Sequence, residues 1–136
     1  MKKFKKRSDC PISSALDIVG DKWSLLIIRD IALQGKHTYN EFLKSEEGIA
    51  TNVLADRLSM LEAFGILAKE DHPVSKAKIF YKLTEKGQDL LPVLMEIILW
   101  SDKYLEIAPQ AKEFAKMLRN DKEAILNQMT SSLKKL

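Results

Sequence analysis

Residues 36–83 read KHTYNEFLKSEEGIATNVLADRLSMLEAFGILAKEDHPVSKAKIFYKL, and the order of signals in this stretch admits few folds. A short helix is predicted over residues 39–44, with Phe42 and Leu43 inward, then a turn, SEEGIA, that contains Gly48. A second helix follows over residues 51–64 and is closed by Gly65. Two β-rich segments, 66–71 and 78–83, flank HPVSKA, whose proline and serine read as the turn of a hairpin. Helix, glycine-containing turn, helix and hairpin together make a winged helix-turn-helix, in which the second helix enters the major groove of DNA.

The flanking sequence is helical. Residues 11–19 form a short helix opened by Pro11 and closed by Gly20. Asp21 can cap a second helix over 22–33 that buries Trp23, Leu26, Ile27 and Ile31, and Gly35 ends it. Residues 36–38 are either a short strand or a connection. Thr84 can cap a long helix over 85–106 with a stripe of Leu90, Leu91, Leu94, Ile98 and Leu105. Pro109 separates it from a helix near 110–118, with another near 122–133. The fold class is mainly α with a small β-hairpin. It divides into a basic N-terminal arm (1–9), a winged domain (10–108) and a C-terminal helical extension (109–136).

Bulk composition narrows the class. A length of 136 residues fits one domain, and 46% hydrophobic with 30% charged residues is the balance of a soluble globular chain. The longest apolar run, 90–100, is broken by Pro92 and Glu96 and falls short of the roughly 20 residues a membrane helix needs. The basic start has no apolar stretch behind it, so no secretory signal is expected, and a lone cysteine suits a reducing, cytoplasmic setting. Residues 1–83 hold 14 basic against 11 acidic side chains, and 84–136 hold 8 of each. The excess sits mostly in Lys2, Lys3, Lys5, Lys6 and Arg7, an arm that either follows phosphates or serves as a solubilising tail.

In the helix over 51–64, Leu54, Leu58 and Leu61 form one stripe, and the opposite side carries Asn52, Ala55, Asp56, Ser59 and Ala63. Short side chains let a helix approach base edges closely. Asn52 can pair bidentately with adenine, and Thr51 offers a hydroxyl or a methyl group. Asp56 is repelled by phosphate, but it could accept from a cytosine amino group or pair with Arg57 or another base. Arg57 itself could reach a phosphate or form an internal ion pair. Lys76 and Lys78 at the hairpin turn suit phosphate contacts from a wing. The same bare face could equally pack on another helix or on a partner protein.

Three segments carry a resemblance: CPISSALDIVGDKWSLLIIRDI (10–31), TYNEFLKSEEGIATNVLADRLSMLEAFGIL (38–67) and YKLTEKGQDLLPVL (81–94). In their order and spacing the chain resembles the HxlR-type winged-helix transcriptional regulators of bacteria. The resemblance implies a DNA-binding homodimer acting on a palindromic operator in double-stranded DNA. Its subunit contact would come from the first helix and the long helix, with Leu94, Ile97, Trp100, Ser101 and Tyr104 as candidates. One departure is Ala50, where the family often has serine, and Thr51 could take the capping role instead. Some family members are thought to sense oxidants or electrophiles through a cysteine at the position of Cys10. Here a helix N-terminus and Lys5, Lys6 and Arg7 could favour its thiolate, with Asp9 opposing them.

No phosphate-binding glycine loop, dinucleotide fingerprint or nucleophile elbow is present, and Cys10, His37 and His72 lack ligand spacing for a metal. No enzyme activity, cofactor or metal is expected. Two other readings stand beside the regulator. One is a winged-helix protein-interaction module. The other is a ligand-gated regulator with an apolar pocket near Trp23 or Trp100 at the dimer interface, responsive to a small molecule or oxidant.

Overall fold

The computed structural model describes residues 5–136; Lys2 and Lys3 of the basic arm lie outside the described residues. Helix α1 (Pro11–Val19) ends at Gly20. Helix α2 (Ser24–Gln34) starts two residues later than its sequence suggests, because the Asp21 carboxylate accepts from the amides of both Trp23 (3.0 Å) and Ser24 (2.9 Å). Gly35, with φ of 63°, closes it in the left-handed conformation that glycine adopts without strain. The buried face of α2 is Ser24, Ile27, Ile28 and Ile31, whereas Trp23 and Leu26 are only half-buried.

Helix α3 (Tyr39–Leu43) opens with a capping box: the Thr38 hydroxyl accepts from the Glu41 amide, and the Glu41 carboxylate accepts from the Thr38 amide. Helix α4 (Thr51–Ala63) follows the turn at Gly48. Its N-cap is Ala50, which makes no side-chain bond, so Thr51 is the first helical residue and not the cap. The Thr51 carbonyl instead accepts from the Tyr39 hydroxyl at 3.0 Å, which ties α4 to α3.

Strands β1 (Leu67–Asp71) and β2 (Ile79–Leu83) pair antiparallel, with Leu67 opposite Leu83 and Asp71 opposite Ile79. The 36–38 segment is a connection that touches β2 at one point. The Tyr81 amide donates to the His37 carbonyl (2.7 Å), and the His37 ring donates from Nδ1 to the Tyr81 carbonyl (2.9 Å).

The long helix predicted over 85–106 is two helices, α5 (Glu85–Gln88) and α6 (Leu91–Tyr104). Pro92 lacks an amide donor and its ring clashes with the carbonyl four residues back, so the chain restarts its helix around the proline. The two C-terminal helices predicted after Pro109 are both present, running in succession as the two halves of α7 (Pro109–Lys134) with a break at Asp121. Asp121 leaves helical geometry (φ −157°, ψ 82°), and its carboxylate caps the second half by accepting from the Ala124 amide.

Phe42, Ile28, Ile31, Leu54, Leu61, Leu67 and Leu91 form the centre of the core. Helix α7 lies along α6, burying Ala115 and Leu118, and ion pairs Arg119–Asp102 (2.6 Å) and Lys122–Glu96 join the two helices. Leu126, Met129 and Leu133 of its second half pack against the main core. No described helix is long and apolar enough to cross a membrane.

Candidate nucleic-acid interface

The two faces of α4 are cleanly divided. Leu54, Leu58 and Leu61 are buried, while Thr51, Asn52, Ala55, Asp56 and Ser59 are all exposed. At about 100° per residue, positions 52, 56 and 59 fall within one narrow sector. Among these exposed residues the only charge is the Asp56 carboxylate.

Arg57 departs from the groove-facing set. Its side chain is 21% exposed and its guanidinium is held from both sides, by Asp56 (Nη2–Oδ2 2.6 Å) and by Asp21 (Nη1–Oδ1 3.4 Å). Asp21 is itself fixed, accepting from the Ser24 hydroxyl (2.5 Å) as well as from the two amides it caps. Burial pushes the Asp21 carboxyl up, but these hydrogen bonds and the Arg57 charge outweigh it and leave the pKa below the ordinary value. Burial likewise acts to lower the Arg57 pKa, and its two carboxylate partners reverse that.

The turn that leads into α4 is pinned by a polar cluster that periodicity does not reveal. Arg29 pairs with Glu47 and with Asp30; Asp30, with a side chain 4% exposed, accepts from the Ser45 hydroxyl (2.6 Å); Lys36 donates to that same hydroxyl (2.9 Å). The Arg29 bonds hold the Glu47 carboxyl down at about 2. The visible signal is an Arg-Asp pair inside an otherwise apolar helix, since buried charges require partners.

In the wing, Lys76 and Lys78 are exposed. The turn beneath them is organised by His72, whose Nδ1 accepts from the amides of Val74 (3.1 Å) and Ser75 (3.0 Å). Phe80 lies between His72 and His37, stacked on His37 at 4.3 Å.

Helix α6 presents Ile97, Trp100 and Tyr104 at 45%, 59% and 61% exposure, with Ser101 half-buried beside them. Leu94 does not belong to this surface: it is 9% exposed and sits in the chain's own core. Trp100 lines an open apolar groove with Pro92, Val93 and Ile97. Around Trp23 the packing within one chain leaves a space of about 10 Å³, room for one water at most. Cys10 is exposed at the N-cap of α1. Two of the three cations expected near it are engaged elsewhere, Lys6 with Asp9 (3.1 Å) and Arg7 with Asp17 (2.6 Å).

Residues 18–109, from α1 through the wing to the end of α6, match the model of the HxlR-like helix-turn-helix family. The chain belongs to that family. It is 34% identical over 110 residues to the uncharacterized HTH-type transcriptional regulator YdeP of Bacillus subtilis (strain 168), covering 76% of this chain and 85% of the relative. The HTH-type transcriptional regulator YodB of the same organism is also 34% identical, over 71% of this chain and 87% of its own. The reduced form of YodB superposes with a TM-score of 0.58, covering 73% of this chain and 97% of that one. The redox regulator HypR in its oxidized form superposes with a TM-score of 0.63 at 30% identity, covering 72% of this chain and all of that one. This HxlR-like chain is therefore a winged-helix, DNA-binding transcriptional regulator. Helix α7 extends from the end of the family match at residue 109 and is otherwise outside it.

Proposed function

We propose that this cytoplasmic regulator acts by binding and not by catalysis, as a homodimer that places two copies of α4 in successive major grooves of an imperfect palindrome. The observation that carries the reading is the exposed face of α4: Thr51, Asn52, Ala55, Asp56 and Ser59 are all accessible, short side chains beside a wing that bears Lys76 and Lys78. Such a face can approach the groove floor, and the wing lysines supply phosphate attraction that the helix itself lacks. The unpartnered apolar side chains of α6, Ile97, Trp100 and Tyr104, together with Ile12 and Leu16 of α1, supply the surface for the second copy. The test is selection of bound duplexes from a random library, then anisotropy on the winner and a scrambled control at two salt concentrations. A palindromic winner preferred over the scramble is expected. Salt-sensitive binding without sequence preference would defeat the reading.

A redox response through Cys10 is the second part of the proposal. It is favoured by the exposure of that thiol at the start of α1 and by relatives solved in an oxidized form (HypR) and in diamide-treated and quinone-bound forms (YodB). With one cysteine per chain, an oxidant such as diamide can take two electrons and two protons from two Cys10 thiols to form an intersubunit disulfide, or an electrophilic quinone can add to one. Cys10→Ser is expected to keep DNA binding and lose the response. A parent-like response of that variant to diamide and quinone would remove Cys10 from the mechanism.

A further inference from the structure

A carboxylate in the middle of a groove-facing helix is an anomaly, because it approaches a polyanion. Adjacent residues on a helix do not face one another, so the Arg57–Asp56 pair forms only because Arg57 lies across the surface toward α2. Both of its bonds to Asp56, from Nε at 3.2 Å and Nη2 at 2.6 Å, converge on Oδ2. No protein donor among the described residues reaches Oδ1, and the Asp56 side chain is 69% exposed. The other end of Arg57 meets Asp21, which is locked by three hydrogen bonds. The result is a chain from the rigid start of α2 to the centre of the exposed face of α4. It pairs the carboxylate through Oδ2 and leaves Oδ1, on an exposed side chain, able to accept from outside the chain.

Resting on the groove-reading role of α4, we propose that Asp56 is a specificity-determining residue that accepts a hydrogen bond from a cytosine amino group in each half-site, and that Arg57 is its positioning residue. The major-groove edges of the bases leave few other partners for such a group. Guanine presents O6 and N7, and thymine presents O4, all acceptors that repel a carboxylate. Adenine offers N6–H between two acceptors, its own N7 and the O4 of the paired thymine, whereas the N4–H of cytosine has an acceptor, the guanine O6, on one side and C5–H on the other. Arg57 reduces the repulsion between the Asp56 carboxylate and the phosphates, although it shares its charge with Asp21, and its hold on Oδ2 leaves Oδ1 to the groove.

The experiment is library selection followed by competition binding with all four bases at every half-site position, for the parent, Asp56→Ala, Arg57→Gln and the double variant. The parent is expected to prefer cytosine at one position by roughly ten- to hundredfold. Asp56→Ala should lose that preference and keep those at other positions. Arg57→Gln should weaken it at the same position and have no further effect there once Asp56 is gone; a purely structural role would lower binding at all positions alike. An Asp56→Ala profile identical to the parent's would overturn the inference while leaving the groove-reading role intact. A guanine preference lost in Arg57→Gln and kept in Asp56→Ala would overturn it by making Arg57 the reader. A parent that selects no sequence would overturn both.

Discussion

Arg29 of α2 and Glu47 of the α3–α4 turn form a bidentate pair, with Nη1–Oε2 at 2.8 Å and Nη2–Oε1 at 2.9 Å, and the same guanidinium covers the buried Asp30 carboxylate. The two partners of Arg29 are not equivalent. Glu47 is 38% exposed, so its loss is softened by water; Asp30, at 4%, has only the Ser45 hydroxyl to fall back on. Arg29→Ala is therefore expected to cost about 3 kcal/mol by stranding a buried charge, and Glu47→Gln about 1 kcal/mol or less. Denaturant unfolding of both variants checks this. Equal small losses would mean that the turn is held by its apolar residues and not by Arg29.

Glu47 also sets a pH dependence. Hydrogen bonding to Arg29 lowers its carboxyl from the ordinary 4.5 to about 2 in the folded chain. A depressed folded pKa favours the fold above the unfolded value, and that contribution is lost as pH falls from 4.5 toward 2. The gap in Tm between parent and Glu47→Gln should shrink between about pH 5 and about pH 3. A gap that stays constant or widens would contradict the pairing.

Lys76 and Lys78 touch no acidic partner among the described residues, in contrast to Lys69 and Lys82 of the same hairpin, which pair with Glu62 and Glu70. Each of Lys76→Ala and Lys78→Ala should weaken binding to all duplexes alike and flatten the salt slope by about one unit. Asn52→Ala should instead cost about 1–3 kcal/mol on the cognate site and relax preference at one base. Equal losses on cognate and random DNA would take Asn52 out of the reading set.

The rings of Trp100 and Tyr104 meet at 5.4 Å between centroids, tilted by 49°, on the open side of α6. Trp100→Glu, which puts a charge where the second copy is proposed to sit, should yield a folded monomer in sedimentation. A dimer of unchanged strength would move the interface elsewhere.

Gly87 of α5 lies against Ile66, the residue before β1, and Leu83 at the end of β2. A Cβ there would overlap the Ile66 carbonyl and sit 3.1 Å from Leu83 Cδ2. Gly87→Ala should cost about 1–3 kcal/mol through overpacking, read as a lower unfolding midpoint. An unchanged midpoint would mean that α5 shifts freely on the sheet.

The helix-turn-helix and the hairpin are legible because their signals are local: Gly48 marks the turn between the two helices, Gly65 closes the second, and proline interrupts the wing. Where a boundary depends on a side chain reaching back to the backbone, as Asp21 does at α2, the sequence places it two residues early. Apolar periodicity carries a helix straight through Pro92, although the proline was visible, because period measures which face is apolar and not whether every amide has an acceptor. Leu94 is a subunit-contact candidate only through the family resemblance, and periodicity does not correct it, because an apolar stripe looks alike whether its own chain or another covers it. The exposed short residues of α4 were found from spacing alone, whereas the tie from Arg57 to Asp21, 36 positions away, exists only once α2 and α4 are packed together.

The division of α4 into a buried leucine stripe and a wholly exposed opposite face also bears on how such regulators diverge. Thr51, Asn52, Ala55 and Ser59 contribute nothing to the hydrophobic core and hold no ion pair, so exchanging them leaves the scaffold's folding free energy nearly untouched. After gene duplication, a descendant can therefore acquire a new operator through one or two surface substitutions without first accumulating stabilising mutations elsewhere.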